Sequence, residues 1–379
     1  MRAELLMFNA AFLILLYLFI KFKEYKSSLA MMYIFWLGTF YIQNIYYYYF
    51  NGQTYRIFSD KTLLIFINIS TLVFINITIL LILKKIKWFK QIKTKINFKE
   101  TKLLSMYFNI ITFIVVAYML RYINKFPLIT LVESSSNIRL DISGGVPHYF
   151  TISTFAYYIL PSFYFLSGKK RYLAIYFLFG VLSLHKGILV YTILFIWINC
   201  FEYRINKEII VSGILIVVFY LVAKNKLVFD IETMKYLFES SIRRFFITQG
   251  SGFIVRLDML ENGFDFVGKN IKRVVYDKIY GGVGGAPTYF LGNLIVSYGY
   301  IKGLLIHSSI LSLMYFVSSV IDYNYKKNNG VKWIFFSIIF ILGNTEITFN
   351  NLPRLIAILF NFLIIFILNV DAKLLRSKS

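Results

Sequence analysis

Apolar runs of about 17–25 residues recur along the whole of this chain, each long enough to cross a hydrocarbon core of about 30 Å. Backbone N–H and C=O groups in lipid must be satisfied within the segment that carries them, so continuous runs of this kind leave only helices. The expectation is an all-α, polytopic membrane protein. Composition agrees, since 58% of the 379 residues are hydrophobic and the mean hydropathy is +0.67.

The runs read as eleven spans: Leu5–Ile20, Leu29–Phe50, Thr62–Leu83, Leu103–Leu120, Tyr149–Leu166, Tyr172–Leu184, Gly187–Phe201, Ile209–Ala223, Gly299–Ile321, Trp333–Thr348 and Leu355–Asn369. The two short spans either side of His185–Lys186 also read as one bent hairpin. The first run is followed, not preceded, by its lysines, Lys21, Lys23 and Lys26. A signal peptide has the opposite order, so the run reads as a retained helix with its N-terminus outside.

Charge then sets the parity. Starting outside, the short segments assigned to the cytoplasm hold 22 of the 41 Lys and Arg residues, eight of them in 84–102. The bland reading of that lysine-rich loop is an orientation signal that meets anionic lipid. The formal net charge of +23 invites a nucleic-acid partner, but most basic residues stand at helix ends, where they act as topology determinants and headgroup anchors. No nucleic-acid partner is expected. The single cysteine, Cys200, excludes an internal disulfide and argues against a cysteine-based metal site.

One segment, about 224–298, breaks the pattern and divides the chain into helices 1–223, a large outer loop 224–298 and helices 299–379. Connections of that length are functional or disordered, and interleaved Phe, Ile, Val and Leu argue against disorder. It carries Arg243 and Arg244, then Arg256, Asp258, Glu261 and Asp265, then Lys269, Lys272 and Arg273, and it leaves through Gly281–Gly285. On this topology Arg121, Arg139, Lys186 and Arg354 also reach the outer edge. Guanidinium groups grip phosphate bidentately, and a cationic cleft beside a bilayer suits a lipid diphosphate. The plainer role for each cation is headgroup contact. Lys186, set between apolar helices, is either functional or snorkelling to the interface.

Asp258, Glu261 and Asp265 stand at i, i+3 and i+7, so a helix through all three would present them on one face near Arg256. A carboxylate beside cations is a candidate general base for a hydroxyl; a solvated face with local ion pairs is the alternative. Asp230 and Glu232 form an isolated acidic pair, and His148, His185 and His307 are too scattered for a metal site, so no metal and no cofactor are expected. The glycine run lacks the Gly-Lys-Ser/Thr of a nucleotide loop. It reads as an anion cradle or as a hinge.

The stretches Leu182-Ser183-Leu184-His185-Lys186-Gly187, Ala286-Pro287-Thr288-Tyr289-Phe290-Leu291-Gly292-Asn293 and Ser297-Tyr298-Gly299-Tyr300-Ile301-Lys302-Gly303, taken with the helix count and one long loop, resemble the Wzy-type O-antigen polymerases, which join oligosaccharide repeat units. Arg273 and Gly284 fit an Arg-x10-Gly pattern of some members' periplasmic loops. The 122–148 loop is shorter than the second periplasmic loop of several members.

The resemblance implies a GT-C-like glycosyltransferase of the bacterial inner membrane with no cofactor. It would move a glycan from an undecaprenyl-diphosphate carrier onto an incoming lipid-linked repeat unit. Arg139, Lys186, Arg243, Arg256, Arg273 and Gly284 would bind the diphosphate and glycan. Arg244 would act in catalysis, with Asp258 or Glu261 as base. Membrane lipids and a separate chain-length regulator are the other partners implied. An O-antigen ligase shares the topology but relies on a histidine in the long loop, and 224–298 contains none. A flippase or other transporter usually has internal pseudo-symmetry and short loops, and neither is evident here.

Overall fold

The computed structural model describes residues 2–53, 56–85, 101–129, 148–225, 232, 249–282, 288–324, 328–344 and 352–374. Each of the eleven apolar runs is helical over most or all of its length, and no strand occurs among the described residues. In order they are α1 (Arg2–Lys21), α2 (Ala30–Trp36) and α3 (Gln43–Phe50) joined by a π turn (Leu37–Ile42), α4 (Asp60–Lys85) and α5 (Lys102–Arg121). Then come α6 (Tyr149–Thr154), α7 (Leu160–Ser167), α8 (Lys170–Leu182), α9 (Lys186–Phe195) and α10 (Lys207–Asn225). The long segment supplies α11 (Gln249–Glu261), α12 (Ile271–Tyr280) and α13 (Phe290–Tyr298), before α14 (Tyr300–Asn324), α15 (Asn329–Asn344) and α16 (Leu352–Leu374).

Four of these, α1, α4, α5 and α14, are long and apolar enough to cross a membrane. Leu6, Leu13 and Ile20 of α1, Phe113 of α5 and Ile301, Leu305 and Leu313 of α14 are all exposed. Apolar surface on that scale is what hydrocarbon, not water, covers. Buried hydroxyls return to the carbonyl one turn back, as Ser70 does to Phe66 (2.7 Å), Thr71 to Ile67 (2.9 Å) and Ser319 to Tyr315 (2.9 Å), which satisfies them without water. The π turn Phe155–Ile159 runs directly into Pro161. Proline offers no N–H and crowds the carbonyl four residues back, and the wider turn accommodates both. The hairpin at His185 is two helices: α8 ends at Leu182, Leu184 takes φ 53°, and His185 Nδ1 caps α9 by accepting from the Ile188 amide (3.4 Å).

The chain divides into two compact units that alternate along the sequence, the first being Met1–Ile92, Phe229–Tyr323 and Ile339–Asn351, the second Lys93–Val228, Asn324–Ile338 and Leu352–Ser379. In the first unit α1 runs parallel to α4, with Phe8 and Phe12 against Phe74 and Phe22 beside Lys85, and α11 packs against α4, the π turn Leu37–Ile42 and α13. The described part of the long segment is therefore not a body apart. Residues Ser251 to Leu257 of α11 are buried, with the Phe253 ring 5.7 Å from Phe40 and 5.4 Å from Phe66. In the second unit α5, α7, α8 and the π turn Phe155–Ile159 pack together around the stacked rings of Phe108 and Phe163 (4.0 Å), while α9 packs with α10.

Candidate functional site

The site-bearing helix is α11, and α4 positions it. α4 begins at Asp60, after Asn51 has closed the preceding turn with two bonds to Phe58 and Ser59 has capped the Thr62 amide (3.1 Å). That start puts Lys61 and Thr62 beside the C-terminal end of α11. Thr62 Oγ1 donates to Asp258 Oδ1 at 3.3 Å. Lys61 Nζ lies 2.6 Å from Glu261 Oε2, and the Tyr300 hydroxyl donates to Glu261 Oε1 at 2.7 Å. The Lys61 bond, and then that from Tyr300, hold the Glu261 carboxyl below its ordinary range. Arg56 Nη1 approaches Ser251 Oγ at 3.5 Å.

Two of the carboxylates expected on one face share a helix, and the third does not. α11 stops at Glu261, where Asn262 and Gly263 (φ 76°) turn the chain. Asp265 is in the following loop, exposed, and accepts from the Val267 amide (2.9 Å).

Arg256 faces the interior. It is fully buried, with Nε donating to Asn293 Oδ1 (2.7 Å) and Nη1 to the Gly252 carbonyl (2.6 Å). Asn293 Nδ2 and Thr288 Oγ1, both buried, have no partner among the described residues. Arg273 is on α12, exposed, with its amide capped by Asn270 Oδ1. Arg139, Arg243, Arg244 and Gly284 lie outside the described residues, as does the side chain of Lys186, whose backbone opens α9. So the structure brings Asp258, Glu261 and Arg256 onto one helix, and Arg273 stands on the next. No group of three or more His, Cys, Asp or Glu with metal-holding geometry occurs among the described residues.

Sequence reasoning missed two buried polar clusters in the first unit. At the opposite end from Glu261, Lys84 Nζ bonds Glu24 Oε2 (2.8 Å), Asp322 Oδ2 (2.7 Å) and Ser27 Oγ (2.7 Å). In the sequence Lys84 reads as part of the lysine-rich loop 84–102 that meets anionic lipid, yet its side chain is only 5% exposed. The signal was there: Glu24 stands alone among lysines, and Asp322 ends an apolar helix. The cluster also joins three segments, 21–26, 84–102 and 322–332, that alternation of the eleven runs puts on one side. Further in, the Trp36 indole donates to the Tyr289 hydroxyl (2.9 Å), which lies 3.1 Å from His307 Nε2, and the hydroxyls of Tyr33 and Tyr315 meet at 2.8 Å.

No family model, no curated protein and no solved structure matches the chain.

Proposed function

We propose that this chain is a repeat-unit polymerase of the Wzy kind, an eleven-span enzyme of the bacterial inner membrane acting at the periplasmic face on undecaprenyl-diphosphate-linked oligosaccharides. The observation that carries the reading is the packing of α11 in a membrane unit, with Asp258 and Glu261 at its end beside Lys61. That end is then the periplasmic one, and the Lys84 end the cytoplasmic one.

The acceptor sugar's hydroxyl attacks the anomeric carbon of the donor glycan. The C–O bond to the diphosphate breaks, its electron pair leaves with undecaprenyl diphosphate, and the hydroxyl proton passes to a carboxylate. Asp258 fits the base better than Glu261, because Glu261 is committed to Lys61 and Tyr300 and a depressed pKa makes a weaker base. A diphosphate leaves readily once cations take up its developing charge, a role for Arg244 with Arg243 and Arg273. Arg256, fixed by Asn293, orders α11 against α13 as well as lending positive charge.

A gel of surface polysaccharide from a deletion strain, complemented with wild type or Arg244→Ala, tests this. Core bearing a single repeat unit, with the ladder restored only by wild type, is the expected result. Unsubstituted core with polymer accumulating on the carrier would mean a ligase. An unchanged ladder would sink the polysaccharide reading in favour of transport, which the buried ionisable cluster at Lys84 would then serve.

A further inference from the structure

The second unit contains a cavity of about 320 Å³ between α8, α9 and α10 that no step of polymerisation uses. Its walls are mostly apolar, with Leu173, Ala174, Phe177, Ile193 and Val211 beside the Tyr164 ring. Its rim is Lys170, the first residue of α8, with Lys207 and Glu208, the first two of α10. From Lys170 to Phe177 is seven residues of helix, so the apolar part runs about 10 Å inward from the charged end.

The charge at that end is lopsided. Between 169 and 208, Lys169, Lys170, Arg171, Lys186, Arg204 and Lys207 outnumber the carboxylates Glu202 and Glu208. Lys207 makes no hydrogen bond or ion pair among the described residues, and Lys170 holds only a 3.4 Å contact with Glu208 in which both side chains are mostly exposed. A contact of that kind contributes little. A hydrocarbon-lined slot under two poorly engaged ammonium groups is complementary to an anion carried on an apolar chain. No guanidinium is among the described residues lining it. The rim thus offers point charges suited to a single phosphodiester and not the bidentate fork that a diphosphate favours.

We propose that this slot binds an anionic phospholipid, with one acyl chain against Ala174, Phe177 and Val211 and the phosphate on Lys170 and Lys207. Glu208 opposes the phosphate and sets the affinity. The site is separate from the polymerase reading and does not depend on it.

Native mass spectrometry of the purified full chain in detergent, titrated with phosphatidylglycerol or phosphatidylcholine, measures the first lipid bound. Wild type should prefer phosphatidylglycerol, with the preference falling about fivefold for each of Lys170→Ala and Lys207→Ala and rising in Glu208→Gln. Ala174→Phe fills the slot from an exposed position and should abolish the preference with both lysines intact. Val211→Trp, closing the slot from α10, repeats that test should Ala174→Phe fold poorly. Equal affinity for the two lipids would overturn the site. A preference that survives both slot-filling variants would reduce it to general surface charge. Displacement of phosphatidylglycerol by an equimolar polyprenyl monophosphate would reassign it to an isoprenoid.

Discussion

Lys61 and Glu261, two hundred residues apart, meet at 2.6 Å where the start of α4 reaches the end of α11. This ion pair ties the long segment to the helical unit. Lys61 is 73% exposed and Glu261 17%, so solvent screens it and its worth is from a few tenths to about 1 kcal/mol.

Its pH dependence follows from the direction of the shift. The folded carboxyl of Glu261 lies below the ordinary value of 4.5, chiefly through Lys61. The pair therefore stabilises fully above that ordinary value and is lost as pH falls through the lowered folded value. Thermal unfolding in detergent should show Glu261→Gln slightly less stable than wild type at pH 7, with the gap closing below pH 4. A constant gap across that range would separate Glu261 from any titrating role.

The same commitment divides the two carboxylates in activity. Asp258→Asn should remove the polymer ladder in a complemented deletion strain while leaving expression and thermal stability near wild type. Glu261→Gln should leave a ladder, weakened at most severalfold. Loss of the ladder in Glu261→Gln alone would reverse the assignment of the base.

Much of this fold was legible because lipid leaves a chain few choices. Every apolar run became a helix, and the bounds drifted outward because residues such as Asp60, Lys85, Lys102 and Arg121 extend a helix into the headgroup region at little cost. The long segment was less legible. Its polar composition read as a loop outside the membrane, but Ser251 to Leu257 are buried on every side of α11, and only at its end do Asp258 and Glu261 become partly accessible. Arg256 shows why a list of cations cannot rank them: Asn293, 37 residues away, decides where its guanidinium points. The pairing of Glu24, Lys84 and Asp322 was hidden for the same reason, since each stands at a helix end where a solvated charge is the usual reading.

Close helix approach supplies a third prediction. A Cβ on Gly303 would fall 2.9 Å from backbone atoms of Leu294 and Ile295, which cannot yield, because Gly299 (φ 79°) folds α14 tightly back from α13. One on Gly292 would meet the Phe253 ring at 2.6 Å and Arg256 Cδ at 3.3 Å, both side-chain atoms. Gly303→Ala should therefore cost about 1–3 kcal/mol, and Gly292→Ala less. Gly213→Ala, with open space around it, should be neutral or stabilise by up to about 1 kcal/mol. Melting temperatures of the three variants in one detergent check the order.

The Lys84 cluster gives the sharpest test of what holds the first unit together. Its ammonium spends all three protons on Glu24, Asp322 and Ser27, while Ser28 also binds Asp322 through its amide (2.8 Å), and Lys85 holds the other oxygen of Glu24 (2.8 Å). Lys84→Met fits the space but leaves Asp322 without a cation among the described residues and Glu24, 2% exposed, with Lys85 alone. Breaking a buried pair from one side costs about 3–5 kcal/mol, whereas replacing all its charges together is often neutral. Lys84→Met should thus lower the melting temperature sharply or prevent purification, and adding Asp322→Asn to it should restore most of the loss. If the double variant is no better than the single, the cost does not lie in the Asp322 charge but in Glu24 and Ser27, which lose the ammonium in both variants.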